Sequence, residues 1–153
     1  MPDRSFLLVC LGNICRSPLA EAALRDAAVR AGVAIEVDSA GTGAWHVGNP
    51  PDPRSQAVAL AHGIDISPYR ARQVEVADYR RFTDILALDR DNLAELRRRA
   101  PKDATARIGL LMDAVPGRGG QAVADPYHGD AAGFAVTWAD VSAAAEGIVA
   151  GLR

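Results

Sequence analysis

The chain has 153 residues, of which 49% are hydrophobic and 24% charged. That fits one domain, residues 1–153, and excludes wholesale disorder. Seventeen Lys+Arg against nineteen Asp+Glu leave a net charge of −2, and the two cysteines are Cys10 and Cys15. No basic excess points to nucleic acid or to an anionic membrane surface. Two cysteines without a further Cys or Cys/His pair make neither a disulfide scaffold nor a four-ligand zinc site.

Met1 to Ser5 and the short apolar run behind them do not read as a signal peptide. No stretch reaches the roughly 20 apolar residues of a membrane helix, so the cytoplasm is the default location. Phe6-Leu7-Leu8-Val9 is continuously apolar and predicts a strand buried on both faces. After a Gly-Asn loop, Ser17-Pro18 predicts a helix start, with Ser17 as N-cap and Pro18 at the first helical position. Leu19, Ala23, Leu24 and Ala27 recur at helical spacing, and Gly32 ends that helix. Val33 to Val37 predicts a second strand, and Ser39 to Asp52 a long loop. Pro53 to His62 is a predicted helix stopped at Gly63, with His62 a structural helix-end residue. Thr83 to Leu88 is a third strand, Asp91 to Arg99 a charged, solvated helix, and Ile108 to Met112 a fourth strand. Gly117 to Gly120 is a flexible loop. In the last helix Phe134, Trp138, Val141, Ala145, Ile148 and Leu152 form one apolar stripe, which puts Trp138 in the core.

Strands alternating with helices predict an α/β fold: a four-stranded parallel sheet with helices on both faces. Ligands of such sheets bind at the carboxyl ends of the strands, and the first strand ends at Cys10. Between Cys10 and Ser17 the chain must turn tightly. Gly12 takes positive φ freely and Asn13 tolerates it. Backbone N–H groups pointing into such a loop, together with a helix N-terminus, make a nest for an anion. Arg16 adds a planar fork that matches two phosphate oxygens. The same positive field favours the thiolate of a neighbouring cysteine, and Ser17 can donate a hydrogen bond to the Cys10 sulfur. The bland alternative is a buried cysteine and an unrelated surface arginine. The flanking strand, the turn and the helix start favour a phosphate loop holding a nucleophile.

The run Cys10-Leu-Gly-Asn-Ile-Cys-Arg-Ser-Pro18 resembles the signature of the low-molecular-weight protein-tyrosine phosphatases. Ser39 to Thr42, Trp45 to Pro50, Asp52-Pro-Arg54, His62 to Asp65, Ala71-Arg-Gln73 and Asp125-Pro-Tyr127 resemble further segments of that family. The resemblance implies that Cys10 is the nucleophile and forms a phosphocysteine. Arg16 then clamps the phosphoryl group, and the amides of Leu11, Gly12, Asn13, Ile14, Cys15, Arg16 and Ser17 bind its oxygens. It implies Asp125 as general acid and then base, though Asp-Pro also opens ordinary turns. Neither metal nor cofactor is implied, because the loop and Arg16 carry the charge. Asn13, Ser17 and Ser39 are the expected hydrogen-bond network behind the loop. Leu11, Trp45, Tyr127 and His128 are the expected pocket walls, with Trp45 alternatively a loop anchor on the core. Cys15 is either a redox partner for Cys10 or a small residue packing the loop.

Two departures stand out. Where a phosphoarginine-specific branch carries a threonine, this chain has Ile14, which favours phosphotyrosine. Where many members carry a histidine bonded to the loop asparagine, this chain has Tyr69, which either supplies a hydroxyl or leaves the link absent. The expected partners are a phosphotyrosine protein substrate and inorganic phosphate or other oxyanions, and the expected state is a monomer or weak homodimer. The alternatives are a phosphoarginine phosphatase, an arsenate reductase of the same fold and a non-hydrolytic phosphocysteine carrier. The reductase needs further cysteines for its relay, and the carrier has no use for Asp125 and lacks the Arg16 clamp.

Overall fold

In a computed structural model that describes residues 3–152, the apolar run becomes β1, Ser5–Cys10, buried along its whole length. Strand β1 pairs in parallel with β2 (Glu36–Gly41) on one side and β3 (Asp84–Ala87) on the other. Strand β4 (Arg107–Leu110) pairs in parallel with β3, giving the order β2-β1-β3-β4. The chain leaves β1 toward β2 and later returns to its other side. The carboxyl end of β1 is therefore a topological switch point, where a crevice opens.

Alternation along β1 builds both halves of the core. Phe6 and Leu8 pack with helices α1 (Arg16–Ala31), α2 (Pro53–Ala61) and α5 (Ala131–Leu152). Leu7 and Val9 pack on the opposite face with Tyr79, Phe82 and Leu96, which come from the region of α3 (Asp78–Arg81) and from α4 (Arg90–Arg99). Phe134, Trp138, Val141 and Ala145 of the predicted stripe are buried, but toward the end of α5 it is Val149 that is buried, and Ile148 and Leu152 are only partly covered; Trp138 is in the core and His62 stacks on its ring at 4.8 Å. A 3-10 turn, Leu111–Ala114, follows β4. Helix α5 crosses it at backbone contact, since a Cβ at Gly147 would lie 2.1 Å from the Ala114 carbonyl oxygen.

Several boundaries differ from the sequence reading. Ser17 is not an N-cap, nor Pro18 the first helical residue: α1 starts at Arg16, and Cys15 occupies the cap position without a side-chain hydrogen bond. The Ser17 hydroxyl is taken up by Cys10 and Asn13 instead. The second strand lies later than Val33 to Val37, so Ser39 to Gly41 is strand and not the start of the long loop. The cause is register. Pairing runs from Ser5 opposite Glu36 to Cys10 opposite Gly41. Only glycine fits at that last position, because a Cβ at Gly41 would lie 2.7 Å from the Leu11 carbonyl oxygen. Strand four is also shorter than Ile108 to Met112, because Leu111 and Met112 turn into the 3-10 segment.

Candidate active site

The loop after β1 closes on its own cysteine. Asn13 takes φ 58°, the only positive φ of a non-glycine residue among those described. That turn brings its backbone N–H to 3.3 Å from Cys10 Sγ. Ser17 Oγ lies 3.0 Å from the same sulfur. The donor can be assigned by following the protons. The Arg72 backbone N–H donates to Asn13 Oδ1 at 3.0 Å, which fixes the orientation of the amide. Asn13 Nδ2 then gives one proton to Ser17 Oγ at 2.7 Å and the other to Ser39 Oγ at 3.0 Å. Ser39 passes its own proton to Glu21 Oε1 at 2.6 Å. Ser17, already an acceptor, has its hydroxyl proton free for the sulfur. Two donors therefore converge on Cys10 Sγ. The N–H groups of Gly12, Ile14 and Cys15 have no protein acceptor among the described residues, which leaves them available to an anion.

Glu21 is buried inside α1 and its carboxyl is shifted upward by that burial, although hydrogen bonds from Ser39 and Arg25 pull the other way. Arg25 reaches Glu21 Oε2 at 2.7 Å and the Val37 carbonyl at 2.8 Å, and it also donates to the Tyr69 hydroxyl. Tyr69 thus joins the network at its far end and makes no bond to Asn13; the Arg72 main chain holds Asn13 instead.

Arg16 is buried and held from behind. Its Nη1 donates to Asp89 Oδ2 at 2.7 Å and to the Val123 carbonyl at 3.0 Å. Asp89 caps α4, and Asn92 occupies its other oxygen through both main-chain N–H and side-chain amide at 2.8 Å. Burial works against the Arg16 charge, but the Cys10 sulfur and the carboxylates of Asp89 and Asp125 outweigh it and tighten its hold on the proton. The second guanidinium nitrogen, Nη2, faces Asp125 Oδ2 at 3.7 Å. Asp125 Oδ1 meanwhile accepts the Tyr127 N–H at 3.1 Å, which turns the carboxyl toward the cleft.

These groups line one cleft of about 240 Å³, with Cys10, Cys15 and Arg16 at its base and Leu11, Ile14, Trp45, His46, Asp125, Tyr127 and His128 around it. Trp45 is 72% exposed, which removes the alternative of a core anchor. Its ring lies over Gly43, where a Cβ would come within 2.0 Å of it. Tyr127 and His128, also on the cleft lining, meet edge to face at 5.0 Å. Cys15 is buried, and burial, followed by the negative charges of Asp52, Cys10 and Asp125, pushes its thiol up to about 12. Asn13, and not Gly12, takes the left-handed conformation that turns the loop, while Ser39 stands behind it two residues before the end of β2.

Sequence reasoning missed Asp89, Glu21, Arg72, His46 and Arg54. Asp89 carried a readable signal: an aspartate just past the third strand and just before a helix, at the same carboxyl end of the sheet as Cys10. In sequence Glu21 and Arg25 have the spacing of an ordinary surface i,i+4 pair, and nothing local marks Glu21 as buried.

The family model described as low molecular weight phosphotyrosine protein phosphatase matches residues 5–153. A Bacillus subtilis relative, low molecular weight protein-tyrosine-phosphatase YfkJ, is 44% identical over 126 residues, covering 81% of each chain. The crystal structure of Primo-1 superposes with a TM-score of 0.91 at 38% identity, covering 98% of this chain and 99% of that one. DARP, a drosophila arginine phosphatase, superposes with a TM-score of 0.89 at 30% identity, covering 97% of both chains.

Proposed function

The chain belongs to the low molecular weight phosphotyrosine protein phosphatase family, a cysteine-dependent enzyme class, and we propose that Cys10, Arg16 and Asp125 carry its chemistry. A phosphotyrosine ring enters between Trp45 and Tyr127, with Leu11, Ile14 and His128 completing the walls. The phosphoryl oxygens take the free loop N–H groups and the Arg16 fork. The Cys10 thiolate attacks phosphorus from beneath while the bond to the phenolic oxygen breaks. Asp125 gives that oxygen its proton, so tyrosine leaves as a neutral phenol. The Asp125 carboxylate then takes a proton from water as the water attacks phosphocysteine. The S–P bond breaks, phosphate forms, and Ser17 and the Asn13 N–H receive the thiolate. Stabilisation of the phosphoryl charge comes from the guanidinium and the loop amides.

One observation carries this reading: two donors aim at the Cys10 sulfur, and a buried guanidinium beside it also faces the Asp125 carboxylate, all in one cleft. Ile14 on the cleft wall favours the aryl substrate over phosphoarginine. The reading takes residues 1–153 as one domain working in the cytoplasm, as a monomer or weak homodimer. The free Cys10 and Cys15 thiols suit a reducing compartment, and exposed Trp45 and Tyr127 offer the surface for a weak pairing. No helix among the described residues is long and apolar enough to cross a membrane.

The test is hydrolysis of p-nitrophenyl phosphate with excess EDTA, comparing the parent chain with Cys10→Ser. Activity that resists EDTA and vanishes in the variant is expected. A folded parent that binds phosphate without turning over would sink the reading in favour of a phosphocysteine carrier.

A further inference from the structure

Arg54 lies at the second position of α2 and is outside the chemistry above, yet it spans two parts of the site. We propose that Arg54 is a positioning residue that sets where the Asp125 carboxyl stands over the phosphate loop. The proposal rests on the reading of Asp125 as the general acid.

On one side Arg54 is anchored to the loop's own support. Its Nε and Nη2 form a fork with the Asp52 carboxylate, at 3.1 and 3.0 Å to Oδ1 and Oδ2. Asp52 caps α2 through the Arg54 N–H, and its own N–H donates to the Ile14 carbonyl at 2.8 Å. Arg54 is thereby tied, through one residue, to the main chain of the phosphate loop. The fork matters to Asp52 as well: Arg54 holds its carboxyl below the usual carboxylate range.

On the other side Arg54 grips the segment that carries the acid. Nη2 donates to the Tyr127 carbonyl at 2.9 Å and Nη1 to the Gly129 carbonyl at 3.2 Å. The guanidinium also lies over the ring of Phe134, at 4.5 Å from its centre, and over that of Tyr127, at 5.6 Å. The other hydrogen bonds of residues 125–130 are local turns: Tyr127 N–H to Asp125, Gly129 N–H to Pro126, and Gly133 N–H to Asp130. Among the described residues, the two bonds from Arg54 are the only hydrogen bonds that fasten this segment to an element outside it and the start of α5. The residue they hold, Tyr127, is the one whose N–H orients the Asp125 carboxyl. A lysine cannot replace this arrangement, because one ammonium cannot fork to a carboxylate and reach two carbonyls in a plane.

A misplaced general acid hurts substrates whose leaving group needs a proton and spares those that do not. The test is therefore kcat/KM for phenyl phosphate and for p-nitrophenyl phosphate in Arg54→Gln, Asp125→Asn and the double variant, with thermal unfolding and inhibition by inorganic phosphate recorded for each. Arg54→Gln is expected to lose about 10- to 100-fold on phenyl phosphate and under about threefold on p-nitrophenyl phosphate. Inhibition by phosphate should stay within about twofold, because the loop and Arg16 are untouched. In the Asp125→Asn background Arg54→Gln should add no further loss. Arg54→Lys, which keeps the charge and the stem, should show the same selective loss at smaller size, and it carries the test if Arg54→Gln does not fold. Equal losses on both substrates, weakened phosphate inhibition, or a full additional loss in the double variant overturns the proposal while leaving the acid assignment standing. An Asp125→Asn variant that fails to distinguish the two substrates removes the acid assignment instead, and with it the role given to Arg54.

Discussion

The two halves of the site are built by different means. The phosphate loop, Cys10 to Ser17, grows directly out of β1 and α1, and its side chains and main chain are pinned from Ser39, Arg72, Asp52 and Ser55. The segment that carries the proposed acid, residues 125–130, is largely exposed, and Asp125 is 47% accessible. It hangs between Val123, which pairs with Leu88, and the start of α5. The half that must be pre-shaped to a tetrahedral anion is locked by buried hydrogen bonds, where an unmade bond is costly. Among the described residues, the half proposed to admit the tyrosine and release a phenol has hydrogen bonds to the fold beyond the start of α5 only from the half-exposed Arg54, besides the ion pair of Asp125 with Arg16. Rigidity is placed where charge develops, and the looser fastening where substrate and product pass.

Substitutions in the locked half should break this contrast most severely. After Cys10→Ser, the largest loss is expected of Arg16→Lys, about 10³-fold in kcat, because the ammonium cannot bridge two phosphoryl oxygens while bonded to Asp89. A kcat within tenfold of the parent would mean that Arg16 serves only as a buried partner for Asp89. Next comes Asp125→Asn, with a loss of about 10²-fold or more on phenyl phosphate and much less on p-nitrophenyl phosphate. Uniform losses would make Asp125 a turn residue.

Asn13→Ala reads out in stability. It strands the Arg72 N–H, removes the donor to Ser17 and Ser39, and puts a Cβ-bearing residue without a local polar contact at φ 58°. A cost of about 3 kcal/mol is expected from the denaturant midpoint. Asn13→Gly separates the two causes, since glycine relieves the backbone but not the lost amide. Equal stability of all three proteins would show that the network does not hold the loop.

The smallest effect concerns Cys15. Its thiol is raised from 9.0 to about 12, so the folded chain stays protonated there while an unfolded chain ionises. A raised value contributes stability that is present below the unfolded pKa and is lost as pH climbs through the folded one. The parent should therefore lose stability between pH 9 and 12 relative to Cys15→Ala. Iodoacetamide at about pH 8 should label Cys15 only when the chain unfolds; rapid labelling in the folded protein refutes this. The same protonation bears on the redox role proposed for the pair. Once peroxide has made a sulfenic acid at Cys10, attack by the Cys15 sulfur, with loss of the hydroxyl as water, should quicken as pH rises. If Cys15→Ser regains activity after peroxide and thiol as fully as the parent, Cys15 has no protective role.

Much of this was legible in the chain itself. The apolar run at Phe6, the run from Cys10 to Pro18 and the stripe from Phe134 to Leu152 each carry a strong local pattern, and the strand–helix alternation is enough for a parallel sheet. Errors fell where local patterns compete with pairing. Ser39 to Gly41 reads as loop because Ser and Gly are poor strand formers, yet the register with β1 makes it strand up to the loop's edge. Ser17-Pro18 reads as a helix start because a serine there can cap, yet a thiol and an amide claim its hydroxyl.

The parallel sheet and the strand, loop and helix that carry Cys10 and Arg16 can be read from the chain alone, because each is written in a contiguous stretch whose spacing is local. Which distant groups stand behind them emerges only once the elements are packed together. Asp89 behind Arg16, Glu21 behind Ser39, and Arg54 on the segment after Asp125 act across 73, 18 and 75 positions of chain. Such pairings depend on strand order and helix packing, and a hydrogen bond that forms only when two remote elements meet leaves no periodicity in either one.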